Sequence, residues 1–274
     1  MKTYIHIGLI KTGSTFLQRT VFPTFGGING RIYVGATVNL HQYNILSKSY
    51  SHILISNENI AGHPLNYSKS VSWLQQFKNS INNIKEIYKD PHIIIGFREP
   101  ASLVQSVYKQ TLNEWGVKSW QQYLEDADDT YLRQFEFSRF VSFLLDSFEN
   151  ERLFIYDHQE LVDNFDLFSN RLNSFLEIPS TVIEKASARK KENVSIPVNL
   201  EKTLVFLNRL SFTLHKYIGF RLALKLGKLR VNPVIICKKL IFFTKKPKTK
   251  RNLNDLRTRF NKDWQHTQQL IKSI

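Results

Sequence analysis

Four short runs of branched and aromatic residues, Thr3–Ile7, Ile53–Ser56, His92–Phe97 and Arg152–Tyr156, limit what this chain can fold into more than any other feature. Each is mostly apolar, as a strand buried on both faces of a parallel sheet must be. Helical patterns separate and follow them, at roughly Ser14–Val21, Ser70–Tyr88, Ala101–Trp115, Arg133–Asn150 and Leu161–Leu176. Strands alternating with helices predict an α/β fold, a three-layer sandwich around a central parallel sheet. From Asn199 onward the pattern is helical, with Leu200, Leu204, Leu207, Leu210 and Leu214 in a stripe and a second apolar-basic run over Val234–Phe243. Gly227 and the Asn232-Pro233 pair interrupt it. The expected organisation is a core over residues 1–196 and a helical, basic C-terminal extension over 197–274, packed on that core.

In doubly wound sheets ligands bind beyond the carboxyl ends of the strands. The segment after the first strand is therefore the first place to look. Ile5-His-Ile-Gly-Leu-Ile-Lys-Thr-Gly-Ser-Thr-Phe-Leu17 is an apolar strand, a tight polar turn and a helix start. Such a turn gathers backbone N–H groups, the Lys11 ammonium and the hydroxyls of Thr12, Ser14 and Thr15 around one point, which suits a phosphate or sulfate. The order differs from a nucleotide-triphosphate loop, G-x-x-x-x-G-K-[ST], because Lys11 precedes Gly13 and no Ser or Thr follows a Gly-Lys pair to hold Mg²⁺. A strand-turn-helix junction with ordinary capping residues is the plainer alternative.

After the second run comes a polar loop with one carboxylate, Asn57-Glu58-Asn59. After the third comes Arg98-Glu99-Pro100 and a helix on which Ser102, Ser106 and Lys109 share a face. Pro100 suits a first helical turn, where its missing N–H would be unpaired anyway. Arg98 and Ser106 can converge on a second anion.

Composition narrows the setting. A 42% hydrophobic content with 20 Phe, 11 Tyr and 4 Trp suffices for a packed core, and the lone Cys237 excludes an internal disulfide framework and a cysteine-rich zinc site. No signal-peptide pattern and no long apolar run is read, so a reducing cytoplasm is the expected location. No His/Asp/Glu spacing suggests a metal site. The net charge of +15 predicts attraction to polyanions. Much of the excess lies between Lys225 and Lys262, which carries a single acid, Asp255.

The two loop motifs together resemble the sulfotransferases that use 3′-phosphoadenosine 5′-phosphosulfate, closer to the glycan-modifying branch. The first signature is Ile10-Lys-Thr-Gly-Ser-Thr-Phe16, with lysine before glycine. The second is Arg98-Glu-Pro-Ala-Ser-Leu-Val-Gln-Ser-Val-Tyr108, with Arg98, Pro100, Ser106 and Tyr108 at the matching positions. Weaker similarity runs through Leu153-Phe-Ile-Tyr-Asp-His-Gln-Glu-Leu161, so the likeness covers about residues 3 to 195. Leu103 departs from it, because many members carry a second arginine there.

The resemblance implies a P-loop-like fold and sulfuryl transfer to a hydroxyl of a carbohydrate or glycolipid acceptor, without a metal. Lys11 would contact the oxygen between phosphate and sulfate, an electrostatic role. Thr12, Gly13, Ser14 and Thr15 would hold the 5′-phosphate, Arg98 and Ser106 the 3′-phosphate. Arg189, in the basic loop Arg189-Lys-Lys191, would close over the nucleotide or receive an acidic acceptor, with a solvated basic loop as the plainer alternative. Glu58 is the first choice of base for the acceptor hydroxyl. Its alternative is to order Lys11 or cap a helix. His6 reads as a structural strand residue, with His63, His41 and His52 as lesser candidates for a base. The run Val234–Lys246 suits peripheral contact with an anionic inner membrane face, or packing on the core. One competing reading is a P-loop kinase or other nucleotide-binding enzyme acting on a small molecule, which the order of Lys11 and Gly13 disfavours. The other is a non-catalytic basic module for polyanions, which leaves the paired motifs unexplained; nucleic acid is a disfavoured partner.

Overall fold

A computed structural model of the chain describes residues 1–35, 39–64, 71–179, 198–218 and 251–274. Residue contacts divide it into two compact units. The first comprises Met1–Pro100, Tyr131–Glu192 and Arg257–Ile274, and the second Ala101–Thr130 and Asn193–Leu256.

The first unit holds a five-stranded sheet in the order β2-β3-β1-β4-β5, with β1 Lys2–Ile7, β2 Arg31–Val34, β3 His52–Asn57, β4 His92–Phe97 and β5 Leu153–Asp157. Every strand pair is parallel. The expected α/β class is therefore observed, and the four runs read from the sequence are β1, β3, β4 and β5. The chain leaves β1 towards β2 and later crosses to β4 on the other side. That reversal falls between β1 and β4, whose carboxyl ends are the usual ligand position in such sheets.

Alternate residues serve the two faces. On one, Tyr4, Leu54, Ile94, Phe154 and Tyr156 join Phe22, Phe25, Phe168 and Leu172 in one buried cluster. On the other, Phe97 meets Phe137 at 5.2 Å between ring centroids, and Trp73 packs edge-on against Phe135, Phe137 and Phe140. Helices thus cover both faces: α1 Ser14–Phe16, continued through a π turn Leu17–Val21 into α2 Phe22–Gly26; α3 Leu40–Ser49; α4 Trp73–Ile87. After β4 comes α5 Pro100–Asn113, which runs on into the second unit, and then α6 Trp120–Asp126 and α7 Asp129–Leu132. The first unit resumes with α8 Ser138–Ser147, α9 His158–Asp163 and α10 Phe165–Leu176, and ends with α12 Asn254–Lys272, the second unit having contributed α11 Val198–Ile218.

Several boundaries differ from the sequence reading. The helix expected over Arg133–Asn150 is broken: Arg133–Phe135 is a 3₁₀ turn, Glu136 is extended, and α8 begins only at Ser138. Phe135 and Phe137 both face Trp73, which two residues so spaced cannot do on one α-helix. The stretch Leu161–Leu176 is likewise two helices, because the Asn164 side chain accepts the Leu167 N–H and starts α10 anew. The first helix overran its expected end through the π turn to Gly26. The half-buried edge strand β2 and helices α3 and α6 lacked a readable period.

The second unit is built on Tyr108, Leu112, Leu204 and Val205, with Leu200 and Leu207 packed at its margin. Leu210 departs from the expected stripe and is 44% exposed, as are Phe206 and Phe212 more strongly. Asn208 ties α11 to the end of α5 by donating to the carbonyls of Leu112 and Gly116 at 3.0 and 2.8 Å.

Candidate active site

The turn after β1 is held by its carbonyls. Leu9 C=O accepts the hydroxyls of Thr12 and Ser14 at 2.8 and 3.3 Å. Lys11 C=O accepts from Arg98 Nη1 at 3.1 Å, and Thr12 C=O accepts from Tyr156 OH at 3.3 Å. Tyr156 reaches Thr12 by lying flat over Gly96 on the neighbouring strand, where any Cβ would stand 2.2 Å from its ring. Burial pushes the Tyr156 hydroxyl up, so it remains a proton donor. A trans peptide directs the N–H of the next residue opposite to the carbonyl. With Thr12 C=O drawn down to buried Tyr156, the Gly13 N–H therefore points the other way.

Gly13 itself is left-handed, with φ of 93°, and is the first cap of α1 without a side-chain cap bond. A Cβ there would lie 2.5 Å from Leu161 Cδ2, so only glycine fits. The first-turn N–H groups of Ser14, Thr15 and Phe16 have no acceptor within the helix. Lys11 is also left-handed, with φ of 58°, although it carries a side chain. Such backbone costs about 1–3 kcal/mol and persists where neighbours over-determine it, as the four hydrogen bonds to the loop carbonyls do here. The result is an exposed lysine beside a set of outward amides.

Arg98 lies at the end of β4, next to β1 in the sheet. Burial lowers its pKa, while Glu99 opposes that shift. Glu99 also pairs with Arg257 on α12 at 3.8 Å. Asp157 at the end of β5 caps α9 by accepting the Gln159 N–H, and Gln268 of α12 approaches it at 3.5 Å. Helix α12 thus borders the residues beside two of the strand ends. Asp263 on the same helix accepts the N–H groups of Phe137 and Ser138 at 2.7 and 3.3 Å, closing the start of α8.

The sequence candidates fall into place as follows. Lys11, Gly13 and Thr15 line the turn. Thr12 and Ser14 are buried beneath it, and their hydroxyl protons are given to Leu9. Glu58 is exposed after β3 and accepts from the Thr15 hydroxyl at 3.5 Å, so carboxylate and loop are brought together. His6 is fully buried, bonded through Nδ1 to Ser56 at 2.7 Å, and pushed down to about 3 by burial. It is a core residue. His52 opens β3 at the opposite end of the sheet, where it pairs with Glu177. Ser106 is half-buried on α5, and Leu103 is fully buried, which accounts for an apolar residue where an arginine was looked for. Arg189 and Val234–Lys246 lie outside the described residues. Among the described residues no three His, Cys, Asp or Glu gather as a metal-binding group, and no helix is long and apolar enough to cross a membrane.

One neighbour of the loop escaped the sequence reading as a site residue. His158, first in α9, has its ring Cδ2 3.8 Å from where a Gly13 Cβ would be. It is half-buried and held down to about 4, first by burial and then by the charge of Arg98. Its only signal in the sequence was its place directly after a strand end.

No protein-family model and no curated protein matches the sequence. Similar solved structures include a sulfotransferase from Alicyclobacillus acidocaldarius, 12% identical over 70% of this chain and 87% of that one, with a TM-score of 0.48. Mouse sulfotransferase SULT7A1 complexed with PAP is 12% identical over 71% and 70%, with a TM-score of 0.43. The sulfotransferase domain from the curacin biosynthetic pathway is 12% identical over 69% and 78%, with a TM-score of 0.39.

Proposed function

We propose that this chain transfers a sulfuryl group from 3′-phosphoadenosine 5′-phosphosulfate to a hydroxyl of a carbohydrate-containing acceptor. The observation that carries the reading is the union of the two motifs at adjacent strand ends: the Arg98 guanidinium donates to the carbonyl of Lys11, the lysine that precedes the loop glycine. The donor's chemistry fits the residues present, since a half-buried arginine, an exposed lysine and an uncapped helix start all favour an anion. When bound, the donor supplies an activated sulfuryl group.

The amides of Gly13 and Ser14 to Phe16 would hold the 5′-phosphate, with the Thr15 hydroxyl beside them. Arg98 would hold the 3′-phosphate, with Ser106 two turns into the helix it precedes and Arg189 as the further contact that the family resemblance implies. Lys11 would stabilise negative charge as it develops on the leaving phosphate, a contribution of the oxyanion-hole kind. Glu58 would take the acceptor's proton, and its approach to Thr15 supports that placing. The excess positive charge supports a glycan or glycolipid acceptor, and contact of the basic C-terminal run with an anionic membrane face belongs to the same reading.

Calorimetric titration with 3′-phosphoadenosine 5′-phosphate tests the donor site, and sulfate transfer to a panel of glycans, glycolipids and phenols tests the acceptor. Absence of nucleotide binding overturns the reading. Transfer confined to phenols overturns the acceptor class alone.

A further inference from the structure

The sheet order sets three strand ends side by side, β1 with the loop, β4 with Arg98 and β5 with His158. The third has no part in the function proposed above. His158 packs beside Gly13, the residue whose N–H is turned outward, and its ring is close enough to Arg98 for that charge to act on it. The ring is half-buried, so it is neither a solvated surface group nor sealed in the core as His6 is.

We infer that His158 is a further binding residue of this anion site, one that takes up a proton when a phosphate or sulfate group occupies it. The inference rests on the donor site proposed above. Its physical basis is a reversal of the local field. In the absence of ligand, Arg98 disfavours a second cation beside it and partial burial disfavours any charge there. A multiply charged anion held by the loop amides and Arg98 neutralises that repulsion and adds an attraction to the imidazolium. The proton comes from solvent, no covalent bond changes, and both ring nitrogens then donate.

Other charged groups surround the ring. Asp163, at the far end of α9, favours the proton. Asp157 is engaged in capping α9, and Glu160 is paired with Arg171 of α10 at 2.7 Å. Lys11 lies in the loop itself. None of these changes partner in the scheme, so the ligand is what moves the balance.

The consequence is an affinity that rises on acidification in a way a fixed cation would not produce. 3′-Phosphoadenosine 5′-phosphate is titrated into the wild-type chain and into His158→Gln near pH 6 and pH 8, in buffers of different ionisation enthalpy. The expected result near pH 6 is a proton uptake in the wild type larger than in the variant by about half a proton or more. The wild-type affinity should also gain about two- to tenfold over the variant's between the two pH values. Titration of the ligand's own phosphates is common to both proteins and cancels in the difference. In the wild type alone, the His158 ring resonance should titrate well below the usual histidine range without ligand and move upward with it, which needs no substitution.

Nucleotide binding with equal uptake in both proteins, or a ring resonance that the nucleotide leaves in place, overturns this inference and leaves the donor site standing. Absence of nucleotide binding to the wild type overturns the donor site itself.

Discussion

Two arginines of this chain show opposite uses of a half-buried charge. Arg251, in the second unit, is bonded to the carboxylate of Glu201 and lies over the rings of Trp120 and Tyr108, at 4.4 and 5.3 Å from their centroids. Glu201 is 2% exposed, with Lys109 3.9 Å away as a second cation. Burial raises the Glu201 pKa and its two cations oppose that shift. The charge is matched and the rings enclose it. Arg98, in the first unit, donates to a backbone carbonyl, while the carboxylate beside it in sequence, Glu99, reaches Arg257. Its pKa is pushed down by burial. A matched buried pair holds a fold together; a half-buried cation whose hydrogen bond goes to a backbone carbonyl retains field for a ligand.

The largest test of that contrast removes the lysine next to Arg98. Lys11→Ala should lower turnover about 10²- to 10³-fold, as losing one transition-state donor does. Binding of 3′-phosphoadenosine 5′-phosphate, followed by calorimetry, should change only a few-fold. An equal loss in both would make Lys11 a simple binding residue.

Arg251→Met leaves the Glu201 carboxylate without its closer cation and should cost about 3 kcal/mol of stability in denaturant melts. The nucleotide affinity should stay within a factor of about two, for the removed charge serves only the fold. Arg98→Met should do the reverse. Its nucleotide affinity should fall by about 10- to 100-fold, the worth of one or two charged hydrogen bonds, with stability within about 1 kcal/mol of wild type. Were Arg98→Met the less stable of the two, the contrast would collapse.

The smallest effect is acid sensitivity. His6 is neutral in the folded chain and held at about 3, so the unfolded chain binds its proton first as pH falls. Stability is full above the ordinary histidine pKa and is lost on descent towards the folded value. About 2 kcal/mol should disappear between roughly pH 6.5 and pH 5. His6→Asn should flatten that slope, as read by chemical denaturation at each pH.

The strands that carry the site were legible in the sequence because parallel, doubly buried strands need unbroken apolar runs, and β1, β3, β4 and β5 are such runs. The loop was legible because lysine, glycine and hydroxyls stand together in it. Edge strand β2 was not, since four half-buried residues carry no such run. Nor was the division of labour inside the loop. Thr12, Ser14 and Thr15 look alike as letters, yet the first two turn their protons inward to Leu9 and only Thr15 faces Glu58. The hydroxyls follow the Leu9 carbonyl, and the next peptide is held by Tyr156, which lies over Gly96, a contact between residues sixty positions apart. His158 was hidden for the same reason, as its neighbours come from other strands.

The placement of α12 has a bearing on biosynthesis. Helix α12, synthesised after every strand of the sheet, supplies Asp263 to the start of α8, Gln268 to the end of β5 and Arg257 to the residue beside Arg98. With synthesis running at about 5–20 residues per second, the sheet can form seconds before these contacts exist. During that interval the nascent chain carries the loop after β1 without the helix that borders the neighbouring strand ends, so the candidate site reaches its finished form only after α12 has emerged.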